Sequence, residues 1–413
     1  MGKFYFRFKY RVIDLMAIMF FVLPLITSMS TYIFYAIIFV FFLLLKNLSS
    51  KEFHSVIRYL LPILIMGAVG VVSYFITFNS LSNNVLRDIY YLIIPALFLL
   101  IGFFSKNVYS LNTMYNNLIT GFIVACLISG INILMDIDKL LNNLSIEVFR
   151  GIIGRENYIS IISLFILCTQ PCFKRKTIRY ILIFTGIVLQ LLYFSRISLL
   201  FVLSILFSYF IINRGKLLKK VRFKHICSII AILVTCIISI NLISPTLLTK
   251  FIDKIKYTFI EIDSDNKWGE LADVNDNWRG YEIYCAKKLL GTYDIFEYFF
   301  GRGLGTTIPL DRYMYVGGNY YLELPILHNG YYSILTKYGV FGLVLYLVLF
   351  LSLIRKSRKC EMKRRVISMG CFVFLVIATF FVMGVIYLTE LNILLMIGVY
   401  FAFENKEKKR IKQ

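Results

Sequence analysis

The chain has 413 residues, 59% of them hydrophobic, with a mean hydropathy of +0.75 and a formal net charge of +22. No soluble domain buries that much apolar surface and still covers itself with polar groups, so a soluble enzyme is excluded. Nucleic-acid binding is excluded as well: the basic residues fall in short clusters between apolar runs, which is the pattern of topology signals at a membrane face.

Taken from the N-terminus, the runs 15–26, 32–45 and 89–104 carry almost no charge, and so does 343–354 near the C-terminal end. Backbone polar groups must be satisfied inside lipid, so spans are helices or closed barrels. Barrel strands alternate apolar and polar residues, and these runs do not. The expectation is an all-α integral membrane protein with about 12 transmembrane helices of roughly 20 residues each. They fall at 12–28, 31–46, 58–78, 87–104, 112–135, 157–172, 178–194, 197–213, 226–246, 338–354, 366–386 and 390–403. The run 31–46 also fits a tilted or interfacial segment. The first run lacks a small-residue cleavage site and reads as a retained span rather than a signal peptide.

Charge checks the count. With both termini in the cytoplasm, the inside segments hold the clusters at Lys3–Arg11, Lys174–Arg179, Arg214–Lys224, Arg355–Arg365 and Lys406–Lys412. Short loops set orientation by their Lys and Arg, and long loops translocate regardless of charge. The chain therefore divides into spans 1–9 (residues 1–248), one large extracytoplasmic loop (249–327), and a re-entry segment with spans 10–12 (328–413).

That loop holds twelve acids, nine bases and both tryptophans, Trp268 and Trp278. Its aromatic content argues against disorder. Of the eight cysteines only Cys285 lies in it, so no disulfide framework is implied, and no metal-ligand spacing appears anywhere. The glycine-rich segment Gly301–Gly305 follows no clear strand and opens no clear helix, so it reads as a tight turn rather than a phosphate loop.

Four residues from separate regions land on the outer face. Arg196 ends a span and is read two ways, as a snorkelling interfacial anchor or as an anion clamp. Arg279 stands beside Trp278 and Tyr281, where a guanidinium on an aromatic platform binds phosphate bidentately. His328 sits where the loop re-enters the membrane, ahead of a short helix over 329–338 and a glycine-marked turn at Gly339. Histidine is the side chain suited to act as a general base near neutral pH, and a lone histidine also fits a purely structural role. Arg155 opens a span on the same side, beside Glu156, which complements the helix dipole. Cationic clamps with one base suit an anionic, lipid-linked substrate better than a hydrolase mechanism.

These features together resemble the O-antigen polymerase and ligase superfamily, and more particularly the Wzy-type polymerases. The resemblance is carried by Ser195–Arg196, by Arg279, by the segment 299–305, and by His328–Asn329 followed by 338–342 and an apolar run. Arg302, between the glycines, is less usual for that pattern. The resemblance implies a fold related to the GT-C class and a metal-independent, inverting glycosyltransferase that needs no cofactor. It implies a repeat-unit polymerase that moves an undecaprenyl-pyrophosphate-linked oligosaccharide onto a sugar hydroxyl of another lipid-linked unit. Arg196 and Arg279 would hold the pyrophosphate, and His328 would orient or deprotonate the hydroxyl. Arg155, Asn329, Trp278 and Tyr281 would bind substrate. Membrane lipid and a chain-length regulator protein are the implied partners, at a bacterial plasma membrane. The ligase that moves the same donor to a lipid A core is the nearest alternative. A lipid-linked oligosaccharide flippase is the other, although the chain lacks the repeated halves of such transporters.

Overall fold

The computed structural model describes residues 11–45, 50–78, 82–142, 145–153, 158–169, 175–193, 195–212, 271–316, 319–358, 362–382 and 391–411, with a few isolated positions between them. Nearly all of it is helix. In chain order the helices are α1 (Val12–Ile26), α2 (Met29–Leu45), α3 (Ser50–Thr77), α4 (Asn83–Phe104), α5 (Leu111–Met135), α6 (Ile137–Asn142), α7 (Ile146–Ile153), α8 (Tyr158–Thr169), α9 (Lys176–Leu192) and α10 (Arg196–Ile212). Then come α11 (Leu271–Asp276), α12 (Trp278–Leu290), α13 (Ile295–Phe300), the strands β1 (Ile308–Val316) and β2 (Asn319–Leu324), α14 (Gly330–Ser357), α15 (Met362–Phe381) and α16 (Leu391–Ile411).

Among the described residues, five helical segments are long and apolar enough to cross a membrane: Tyr59–Thr77, Asn83–Asn107, Leu111–Met135, Gly330–Ser357 and Arg364–Phe381. The chain is thus a membrane-embedded helical protein. Helices also occupy the other expected span positions, but as shorter pieces such as Val12–Ile26, Met29–Leu45 and Arg196–Ile212. The expected span 226–246 lies outside the described residues.

The bundle packs largely by pairs: α4 on α16, α10 on α15, α1 on α5, and α14 between α3 and α15. Lipid supplies no hydrophobic drive between helices, so close backbone approach has to supply the contact. Between α4 and α16 it comes from Gly102 and Gly398. A Cβ on Gly102 would collide with the Leu395 carbonyl, and one on Gly398 with that of Leu99.

Within 249–327 the chain builds a small lobe with its own core. On α12, Tyr281, Cys285 and Leu289 recur at helical spacing and pack on Ile308, Leu310, Met314 and Leu324 of the hairpin. The strands pair antiparallel, with Tyr315 opposite Tyr320, and their outer face exposes both rings together with Tyr313. Burial pushes the Tyr281 phenol up to about 12 and the Cys285 thiol up to about 11. The expectation of an all-helical chain contained no such hairpin. It forms because a loop this long needs a hydrophobic face of its own.

Below the lobe, α14 breaks at Gly339, whose φ of 63° and ψ of −165° no L-residue adopts easily. The short helix before the break and the glycine turn into the span follow the sequence expectation. The segment 301–305 is indeed a turn, and it staples the lobe to the bundle. Arg302 N–H donates to the Thr336 carbonyl, Gly303 N–H to that of Lys337, and Leu304 N–H to that of Gly70.

Candidate functional site

His328 arrives at the lobe–bundle junction already fastened. Its backbone N–H donates to Glu282 Oε2 at 2.8 Å, and its ring Nδ1 lies 2.8 Å from Glu282 Oε1. A carboxylate only accepts, so Nδ1 carries the hydrogen and Nε2 of the neutral ring keeps its lone pair. The Glu282 side chain is 2% exposed and that of His328 is 41% exposed. The carboxylate is therefore committed to the histidine while the ring edge remains accessible. Sequence reading missed Glu282, because nothing distinguishes it from the other loop acids.

Arg279 precedes Glu282 by three positions on α12, which places the two on one helical face. Among the described residues Arg279 makes no ion pair or hydrogen bond, and its side chain is part-exposed. So α12 presents a cation one turn from the carboxylate that orients the histidine. Trp278, at the start of the same helix, is half-buried against the lobe core, its ring 6.0 Å from that of Tyr281.

Arg196 begins α10, where Ser195 Oγ accepts the Ser198 N–H at 3.1 Å. α10 runs antiparallel to α15, with Phe201 4.7 Å from Phe374 and Gly370 against Ile205. Arg196 thus stands about 7.5 Å beyond Phe201 along the axis, level with the end of α15. There the Val382 carbonyl accepts the Gly330 N–H at 3.3 Å, two residues after His328. Arg196 and His328 therefore share one end of the bundle. Arg150 of α7 comes to that end too, its Nε donating to the Tyr193 carbonyl at 3.0 Å.

A cavity of about 130 Å³ opens between α8, α9 and α10, from Ser195 down past Leu164, Phe165, Ile187 and Val202. Its lining is apolar except for Ser195, Ser198 and Gln190, and both amide atoms of Gln190 are buried with no partner among the described residues.

Two expected site residues are engaged in other roles. Tyr281 is 0% exposed in the lobe core, and its hydroxyl accepts the Asp311 N–H, so it offers no surface to a substrate. Asn329 caps α14, its Oδ1 accepting from the N–H groups of Tyr331 and Tyr332. Arg155 lies outside the described residues. Arg302 is occupied as well: it pairs with Glu297 at 2.9 Å and stacks over the Tyr293 ring.

A second polar centre lies deeper, and it too was missed. Asp88 of α4 and Lys337 of α14, 2% and 1% exposed, form an ion pair at 2.5 Å. Asp88 Oδ2 also accepts the Gly305 N–H at 2.7 Å, and Lys337 Nζ donates to the Pro325 carbonyl at 2.8 Å. Compared with protein-family models and with characterised proteins, the chain matches none of them.

Proposed function

We propose that the chain is a glycan repeat-unit polymerase of the Wzy type, acting on lipid-linked, diphosphate-activated oligosaccharides. The observation that carries the reading is the pairing of His328 with a buried carboxylate, with Arg279 one turn away on the same helix. In this reaction the acceptor hydroxyl oxygen attacks the anomeric carbon of the donor glycan. The bond from that carbon to the diphosphate oxygen breaks, its electron pair leaving with the diphosphate, and the hydroxyl proton passes to His328 Nε2. Glu282 supports the imidazolium that forms, and Arg279 and Arg196 balance the charge that develops on the leaving diphosphate. The apolar cavity beneath Ser195 and Arg196 suits a substrate with a hydrocarbon tail. The proposal extends to topology: the shorter apolar helices also cross the membrane, in a GT-C-like arrangement of about 12 spans, with both termini cytoplasmic and the lobe outside.

The test is surface polysaccharide in a deletion strain complemented with variants expressed at normal level. Loss of the chain is expected to leave single repeat units on the lipid, and His328→Ala and Arg279→Ala are each expected to cut polymer by about 10²-fold or more. Unchanged polymer length and amount in both variants would sink the reading. Accumulation of full-length, untransferred polymer would replace it with ligation to a lipid A core.

A further inference from the structure

The proposed reaction uses neither Asp88 nor Lys337, yet the two are among the most deeply buried charges in the bundle. An ion pair withdrawn from water costs desolvation that good geometry only partly returns. In a membrane helix such groups are retained for what they hold. Lys337 holds three things. Its ammonium reaches Asp88 on α4 and the Pro325 carbonyl, while its own carbonyl accepts the Gly303 N–H. Asp88 holds the other end of the same turn through Gly305.

The strand of chain that carries His328 is thus tied at successive points. Pro325 is fixed by Lys337, Leu327 N–H by Ser333 Oγ at 3.3 Å, and His328 by Glu282. Glu282 belongs to the lobe and Lys337 to the half-helix beneath it. The imidazole therefore sits between one anchor that moves with the lobe and one fixed to the bundle.

We propose that Asp88 and Lys337 are a positioning pair that sets the place of His328 through the Pro325 carbonyl. The role for the reacting group rests on the polymerase reading; the tethering itself does not. Neither residue touches a substrate. Lys337 limits how far the segment 325–328 follows the lobe, and Asp88 keeps the Lys337 ammonium aimed at Pro325 rather than at solvent.

The test uses the full chain in lipid nanodiscs, with D88N/K337M as the main variant. Removing both charges leaves neither member of the buried pair without its counter-ion; Arg87, 3.5 Å from Asp88 Oδ1, is 26% exposed and reaches water, and the amide oxygen introduced in place of the Asp88 carboxylate still offers an acceptor to Gly305. K337R is the second variant, since it keeps donors for both acceptors and is expected to retain the wild-type exchange pattern. Hydrogen exchange of the Leu327 and His328 amides is expected to quicken at least about tenfold in D88N/K337M, with the remaining amides of α4 and α14 little changed. That reading is obtained whether or not the chain polymerises glycan. With undecaprenyl-diphosphate-linked glycan as donor, the expected fall in kcat is about 10- to 100-fold with KM for the donor unchanged. In the H328A background the same double substitution is expected to cause no further fall, because its effect passes through His328. Unaltered exchange at Leu327 and His328 overturns the tethering. Faster exchange with an equal fall in both backgrounds overturns the positioning role. No transfer by the wild-type chain, with exchange quickened as stated, removes the polymerase reading and leaves the tether standing.

Discussion

At the scale of single residues, Glu282 is the informative one. It spends both oxygens on His328, one on the backbone N–H and one on the ring. A glutamine there keeps one good acceptor and replaces the other with a donor, which faces a donor. Glu282→Gln is therefore expected to lower kcat in the proposed reaction by about 10²-fold while the chain folds and inserts normally, and Glu282→Asp is expected to fall between the two. Steady-state kinetics on reconstituted protein check this, and a Glu282→Gln variant at wild-type rate excludes the dyad. Arg196 and His328 stood out in the sequence because they border apolar runs, and Arg279 because Trp278 and Tyr281 flank it. Glu282 was not legible, because its meaning depends on a histidine 46 positions later that only the lobe fold brings to it. Asp88 left a better signal. It is an acid at the head of an apolar run, and such residues are functional candidates by cost alone.

Among elements, the broken helix α14 carries the most. The half before Gly339 belongs to the junction with the lobe, and the half after it belongs to the bundle. A Cβ at Gly339 would run into the Phe299 carbonyl and lie 2.6 Å from Gly301 N, on a backbone with positive φ. Gly339→Ala is expected to cost about 1–3 kcal/mol of stability. Gly130→Ala is the control: it meets nothing within 4 Å on α5 and is expected to be neutral or mildly stabilising. Thermal unfolding of the detergent-solubilised variants compares them, and equal midpoints would refute the assigned strain. The break was legible from a lone glycine between a polar helix and an apolar run. The hairpin was not, although Gly317 and Gly318 between tyrosine-rich stretches are a hairpin signal.

For the whole molecule, hydropathy and charge speak to different questions. Apolar length locates helices, and the helices stand where it puts them wherever the residues are described. It does not fix how many cross, since several are shorter than a hydrocarbon core requires when upright. Orientation comes from the basic clusters. Cysteines at Tyr313, 67% exposed on the hairpin, and at the exposed Arg358, past the far end of α14, test it. With the unmodified chain as control, a membrane-impermeant maleimide is expected to label Tyr313→Cys on intact cells and Arg358→Cys only after lysis. The reverse pattern would turn the proposed topology over.

The ion pair between Asp88 and Lys337 also bears on how the chain is made. The two partners are 249 positions apart. A ribosome delivers α4 to the membrane long before it has synthesised Lys337, so the Asp88 carboxylate waits through most of translation without its buried partner. Until then its near cation is Arg87, the residue before it, 3.5 Å away, and the head of α4 stays near the membrane surface, incompletely seated. Maturation of the bundle is therefore completed from its C-terminal third. A nascent chain stopped short of Lys337 presents quality-control proteases with a charged defect in an early helix, however well its first spans have inserted.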